Sequence, residues 1–325
     1  MSLPAEFPPI VADERGFVGR AMLDEVEELA ARWAETERRL VTLAQDPQLR
    51  FLVGMGDAGA IGIRGRELLR GTQAELDLLV ARTRAWADDA VVSRVVAGND
   101  AAIASAVQQG ASVSVAGALG VVNTQSINAL IDDLMIDADF SASSSLQTMR
   151  RYIRRTQQGA LDEAAINQSI IASEARLENV NQRAKRLERE FSEAVGGGNF
   201  IDIRGRRYRI EAYARLIART RLAEAATQGA FNAITAMGIG LVRVSDHGKT
   251  DPVCDAHAGK VYSISGGDSR FPPLRERPPY HPNCRHALLP YVSELKTDRE
   301  LEFAMARSRD RVEPGVSIVD YFASQ

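Results

Sequence analysis

Val242-Arg243-Val244-Ser245-Asp246-His247, Asp251-Pro252-Val253-Cys254 and His281-Pro282-Asn283-Cys284-Arg285-His286 decide how this chain is read. With His257 between them, these segments hold both cysteines and all four histidines of a 325-residue chain. Thiol and imidazole side chains are rare here, and their concentration in one stretch marks gathered chemistry. The same stretch changes the texture of the sequence. Leu241 to Val244, Lys260 to Ile264 and Arg285 to Leu289 alternate as strands do, and a Pro-rich loop, Phe271 to Pro282, joins the last two. Everything before it is patterned as helix. The fold class expected is therefore α+β: a mostly helical N-terminal region followed by a small α+β C-terminal domain carrying a Cys/His cluster.

Spacing alone leaves two ligand sets open. Cys254-x2-His257 and His281-x2-Cys284 form one quartet, with an x2 gap that lets both members of a pair reach one ion. His247, Cys254, Cys284 and His286 form the other. If Cys284 to Leu289 is a strand, Cys284 and His286 share a face, since side chains alternate with period two. Two thiolates and two neutral imidazoles suit tetrahedral Zn²⁺. Four protein ligands would leave no open position, so the expected cofactor is a structural Zn²⁺ stapling a thin domain. A Cys–His cluster packed without metal is the bland alternative.

Catalytic readings are weaker. A zinc deaminase carries a Glu two residues after its first ligand. Here Ala256 follows Cys254 and Gly259 follows His257 at that spacing. A metal-dependent nuclease or hydrolase using Asp246-His247 with His281 or His286 is the rival function. A cysteine nucleophile, Cys254 or Cys284 beside a histidine, lacks any marked oxyanion hole.

Outward from this stretch, residues 1–15, with Pro4, Pro8 and Pro9, read as an extended arm. Residues 16–198 read as a helical region, 199–292 as the α+β domain and 293–325 as a tail with a short helix near Asp298 to Arg307. Met22, Val26, Leu29, Trp33, Leu40 and Leu43 make one amphipathic stripe, which Pro47 stops. Gly54, Gly56, Gly59, Gly62 and Gly65 suggest a turned connection, and Asp100 a cap for a short helix. A helix from about Leu161 to Val195 carries Leu177, Val180, Ala184, Leu187 and Phe191 at bundle spacing. Glu211 to Met237 is another, closed by Gly238.

Net charge is −3 with 26% charged and 45% apolar residues, so no bulk electrostatic case for nucleic-acid binding exists. Arg215, Arg219 and Arg221, with Arg204 to Arg209 before them, read as a solvated basic face or a phosphate contact. Met1 to Ile10 lacks a secretory pattern, and Gly110 to Val122 is too short to span a bilayer. The expectation is a protein made in the cytosol with no membrane segment.

Val242 to His247, Asp251 to Cys254, Gly259-Lys260-Val261-Tyr262-Ser263-Ile264-Ser265, His281 to His286 and Pro290-Tyr291 together resemble the C-terminal signature of tailed-phage minor capsid proteins. These are of the minor capsid 2 type, kin to the head-morphogenesis proteins of phages Mu and SPP1. Tyr213 to Thr220 is similar to the family's approach to that signature, and the resemblance covers roughly residues 205–292. It implies a structural virion protein in the capsid interior, made in the host cytoplasm and aiding head assembly and DNA packaging or delivery. The implied partners are the portal protein, the major capsid or scaffold protein, and packaged DNA. The resemblance also favours His247, Cys254, Cys284 and His286 as the steadier positions.

Overall fold

The computed structural model describes residues 20–111, 123–169, 200–201, 207–208, 210–247, 251–311 and 318–324. The chain forms two compact units, one of Val26–Trp86 with Asp133–Arg215, the other of Met1–Glu25, Ala87–Asp132 and Leu216–Gln325.

In the first unit, the stripe read from Met22 onward is the buried face of α1 (Arg20–Ala44), and its Trp33 indole donates to Thr83 at 3.0 Å. Pro47 stops that helix and opens the next. It stands at the start of α2 (Pro47–Met55), where its missing N–H costs nothing. The Asp46 carboxylate caps α2 through Leu49 N at 2.7 Å and pairs with Arg64. Gly56, at φ 67°, closes α2 in the left-handed conformation.

The other glycines of that run do not make a connection. Gly59, Gly62 and Gly65 lie inside α3 (Ala58–Gln108). A Cβ on Gly65 would stand 2.4 Å from Ile153 of α4 (Thr124–Ser169), so the glycine is there for close helix packing. Ile61, Leu68, Met149 and Ile153 form the core at this crossing. A short ribbon pairs β1 (Phe200–Ile201) with β2 (Arg207–Tyr208). At the head of α5 (Ile210–Ala236), Tyr213 donates to Asp137 at 3.1 Å, and Arg215 is held by Glu27 and Glu211. The basic face is thus paired with acidic neighbours there, while Arg204, Arg206 and Arg209 lie outside the described residues. So do the extended arm, the bundle-spaced residues Leu177 to Phe191 and the glycine run at Gly196.

The second unit holds the sheet. Its antiparallel order is β4 (Val261–Ser263), β3 (Leu241–Val244), β5 (Leu288–Pro290). Val242, Val244 and Leu288 pack on Ala102, Ile103, Ala230 and Ile234 of α3 and α5. The opposite face, with Leu241, Val261, Phe271 and Tyr291, packs on Ala304 of α7 (Asp298–Ser308), whose Thr297–Glu300 capping box fixes its start. Within this unit α3 and α5 meet at backbone contact. A Cβ on Gly98 would lie 1.9 Å from Ala226 O, and one on Gly229 1.9 Å from Val95 O. Gly98 therefore does not break α3, and Asp100 sits inside the helix rather than capping a new one. An 18-residue window of α3 is apolar enough to cross a membrane, and half of it is buried inside the protein.

Hydrogen bonds to β3 leave from Tyr291 N and accept at Ala287 O, so Pro290 and Val292 turn their polar groups outward. The missing N–H of Pro290 thus falls on the sheet's edge, where proline is tolerated. The Gln109 side chain covers that edge, donating to Pro290 O at 2.9 Å and accepting from Val292 N at 3.5 Å. At the other edge, Val261 N donates to Ser308 Oγ, Ser263 N to Pro272 O, and Leu274 N to Ser263 O. The tail continues into α8 (Ile318–Ala323), where Tyr321 meets Phe303 of α7 edge-on at 5.4 Å.

Candidate metal centre

The site is assembled from two turns that flank the sheet. After β3 the chain runs to Asp251, whose carboxylate accepts from Val253 N at 2.9 Å and starts the single turn α6 (Pro252–Asp255). Pro252 at the first helical position presets that turn, and Cys254 lies on its buried side. Cys254 O then accepts from the N–H groups of both His257 and Ala258, and Gly259, at φ 72°, returns the chain toward β4. The second turn is His281-Pro282-Asn283-Cys284, closed by Cys284 N donating to His281 O at 3.0 Å, with Asn283 left-handed at φ 68°. Asparagine is among the few residues that take this conformation readily.

Cys284 and His286 do share a face, although neither lies in a strand. The strand begins only at Leu288, and the residues before it follow the turn at Asn283. The period-two argument therefore reached the right pairing through the wrong local structure.

Three donors converge. Cys254 Sγ and Cys284 Sγ are 3.5 Å apart, and Cys284 Sγ is 3.6 Å from His286 Nδ1. The ligand atoms of Cys254, Cys284 and His286 all lie within 4.8 Å of one another, in a buried group that could hold a metal ion. With metal–sulfur bonds of about 2.3 Å, two sulfurs of a tetrahedron stand roughly 3.8 Å apart, close to the separation seen. The His286 Nε2 is buried without a hydrogen-bond partner. That costly orphan is relieved when Nε2 itself is the ligand atom, whereas ligation through Nδ1, which faces Cys284, leaves it unpaired.

The electrostatics match. Burial, reinforced by the neighbouring Cys284, pushes the Cys254 thiol up to about 12, so that thiol holds its proton until a cation displaces it. Burial, with His247 beside it, pushes His286 down to about 4, which keeps it neutral and able to ligate.

His247 stands next to this group, its ring 5.0 Å from that of His286 and roughly perpendicular. Its Nε2 is 2.9 Å from Ser245 Oγ and 3.1 Å from Arg285 O. A carbonyl can only accept, so the proton belongs on Nε2 and the lone pair on Nδ1. Ser245 is itself buried and fixed, accepting from Ala287 N at 2.9 Å. The preceding residue, Asp246, pairs with the buried Arg307 of α7, whose guanidinium lies against Gly259.

His257 and His281 are placed differently. His257 Nδ1 is 2.9 Å from the Tyr262 hydroxyl, and the ring stacks on Tyr280 at 4.1 Å. His281 Nδ1 is 2.7 Å from Pro282 O, within its own turn. Sequence reasoning did not pick out Ser245 or Arg307. Neither residue type stands out in composition, and only the fold brings them to the loop.

The fold and the site define a mostly helical protein that ends in a small sheet domain built round a buried cluster of sulfur and imidazole donors. The chain belongs to the phage minor capsid protein 2 family, whose model matches residues 89–312. No curated protein and no solved structure matches it. Family membership makes it a structural component of a bacteriophage virion, a role that suggests no enzyme. The match begins inside α3, far ahead of the signature from which the resemblance was drawn, and so takes in the helices under the sheet as well.

Proposed function

We propose that this protein is a minor capsid component associated with the portal inside the phage head, made in the host cytoplasm and aiding head assembly and DNA packaging or delivery. In this reading its surfaces contact the portal and the major capsid or scaffold protein, and packaged DNA lies against it. The observation that carries a structural role is burial. Cys254, Cys284 and His286 are 1%, 7% and 5% exposed, and a substrate has no room beside groups so enclosed. In place of catalysis, the cluster holds one Zn²⁺ through Cys254, Cys284 and His286 with His247 as the fourth ligand. The ion fastens the two turns that bracket the sheet. A metal-dependent nuclease or hydrolase draws support from one feature, the three-donor group that leaves a fourth position for water.

The test is composition of the particle. Heads are purified from cells producing the phage that encodes this chain, and the chain is quantified against the portal protein by mass spectrometry. A fixed low ratio to portal, with abortive or empty heads when the gene is deleted, is the expected result. Absence from purified heads, with normal DNA filling in the deletion, overturns the proposal.

A further inference from the structure

We propose that Cys254 and Cys284 are a disulfide-forming pair: without a metal ion, an oxidant joins their sulfurs, and bound Zn²⁺ prevents it. The protection half rests on the metal reading above; the disulfide half needs only the geometry. Both thiols are free, and their sulfurs are 3.5 Å apart. A disulfide requires about 2.05 Å, so each sulfur needs to move by well under about 1 Å. The two are the only cysteines in the chain, so any disulfide within it joins these residues. They belong to separate turns, α6 and the turn at Asn283, whose relative position the sheet fixes.

Burial selects the oxidant. Cys254 is 1% and Cys284 7% exposed, which shuts out bulky disulfides and admits a small peroxide, first at Cys284. Cys284 Sγ attacks one oxygen of hydrogen peroxide, the O–O bond breaks, and one water leaves, giving a sulfenic acid. Cys254 Sγ then attacks the Cys284 sulfur, its S–O bond breaks, and the oxygen departs with the thiol proton as a second water. Two thiols and one peroxide thus give one disulfide and two waters; sulfur is oxidised and peroxide reduced. The product links the same two turns that the ion would fasten. A chain made in a reducing cytosol and carried outside the cell would keep its staple after losing its metal.

The full-length protein is prepared zinc-loaded and chelator-stripped, its fold checked by circular dichroism, and each form is treated with hydrogen peroxide. Thiols are then alkylated under denaturing conditions and peptides mapped by mass spectrometry. The stripped protein is expected to yield the Cys254–Cys284 cross-linked peptide as its main oxidation product, because the fold holds Cys254 beside the sulfenic acid and favours closure over further oxidation. The zinc-loaded protein keeps both thiols alkylatable, and stripped Cys254→Ser leaves a trappable sulfenic acid at Cys284. Retained thiols in the folded stripped protein, or sulfinic acid without cross-link, overturn the proposal. Equal cross-linking with and without zinc overturns the protection and the metal reading while upholding the pair.

Discussion

Replacing Gly229 by Ala tests the packing on which the sheet domain rests. The new Cβ would lie 1.9 Å from Val95 O and 3.0 Å from Asn99 N, both backbone atoms that cannot swing aside. Carbon–oxygen contacts settle near 3.3 Å, so α3 and α5 must part by about 1.4 Å. Overpacking of this kind costs about 1–3 kcal/mol. Alanine returns about 1 kcal/mol of helix propensity, leaving a net loss of up to about 2 kcal/mol. The same parting loosens Ile103, Ala233 and Ile234 under Val242 and Leu288, which favours the upper end. Gly98→Ala meets Ala226 O at 1.9 Å, so a separation that relieves one clash relieves the other. The double variant should therefore lose clearly less than the sum of the singles. Gly159→Ala is the control: nothing lies within 4 Å of its Cβ, and it should gain up to about 1 kcal/mol. The assay is denaturant unfolding with thermal melts, where each kcal/mol corresponds to about 2–4 °C. Gly229→Ala behaving like Gly159→Ala, or strict additivity with Gly98→Ala, would refute the backbone contact.

Three further outcomes follow from the site and the first unit. In the chelated protein, His286 titrates near 4 when folded against 6.5 unfolded, so the unfolded chain binds more protons between those values. Stability should be complete above pH 6.5 and fall as pH drops toward 4, and melts of His286→Gln across that window should show a shallower slope. Cobalt titrations should lose tight binding in Cys254→Ser, Cys284→Ser and His286→Ala and keep it in His257→Ala and His281→Ala; unchanged binding in the first three sinks the cluster. Asp46→Ala removes a helix cap and the partner of Arg64, for a loss of about 2 kcal/mol. Because the Arg64 hydrogen bond holds the Asp46 carboxyl below its ordinary value, that contribution is present above the ordinary value and lost as pH falls through the lowered one.

The cluster was legible because its donors are scarce: six residues in one stretch needed no geometry to be noticed. The α+β division was legible for a similar reason, since helical and alternating patterns do not overlap at Leu241. What sequence misjudged turned on glycine. Gly65 read as part of a connection, yet it sits where another helix comes too close for a Cβ, as Gly98 does, a fact that lives in the partner helix. The strand before Leu289 was placed too early because Cys284 and His286 alternate, whereas the left-handed Asn283 sets their direction. Spacing alone left two quartets open, since only the fold shows Tyr262 and Tyr280 engaging His257 from across the loop.

The two covered edges of the sheet have a consequence for assembly. A capsid concentrates its components, and an open strand edge in such a crowd is a template for adding strands from neighbouring chains. Here Gln109 stands in for a strand on one side, and Ser308 with the Pro272–Leu274 segment does so on the other. Strand addition would first have to strip these bonds away. Among the described residues, this sheet therefore offers a neighbouring chain no open strand on either side.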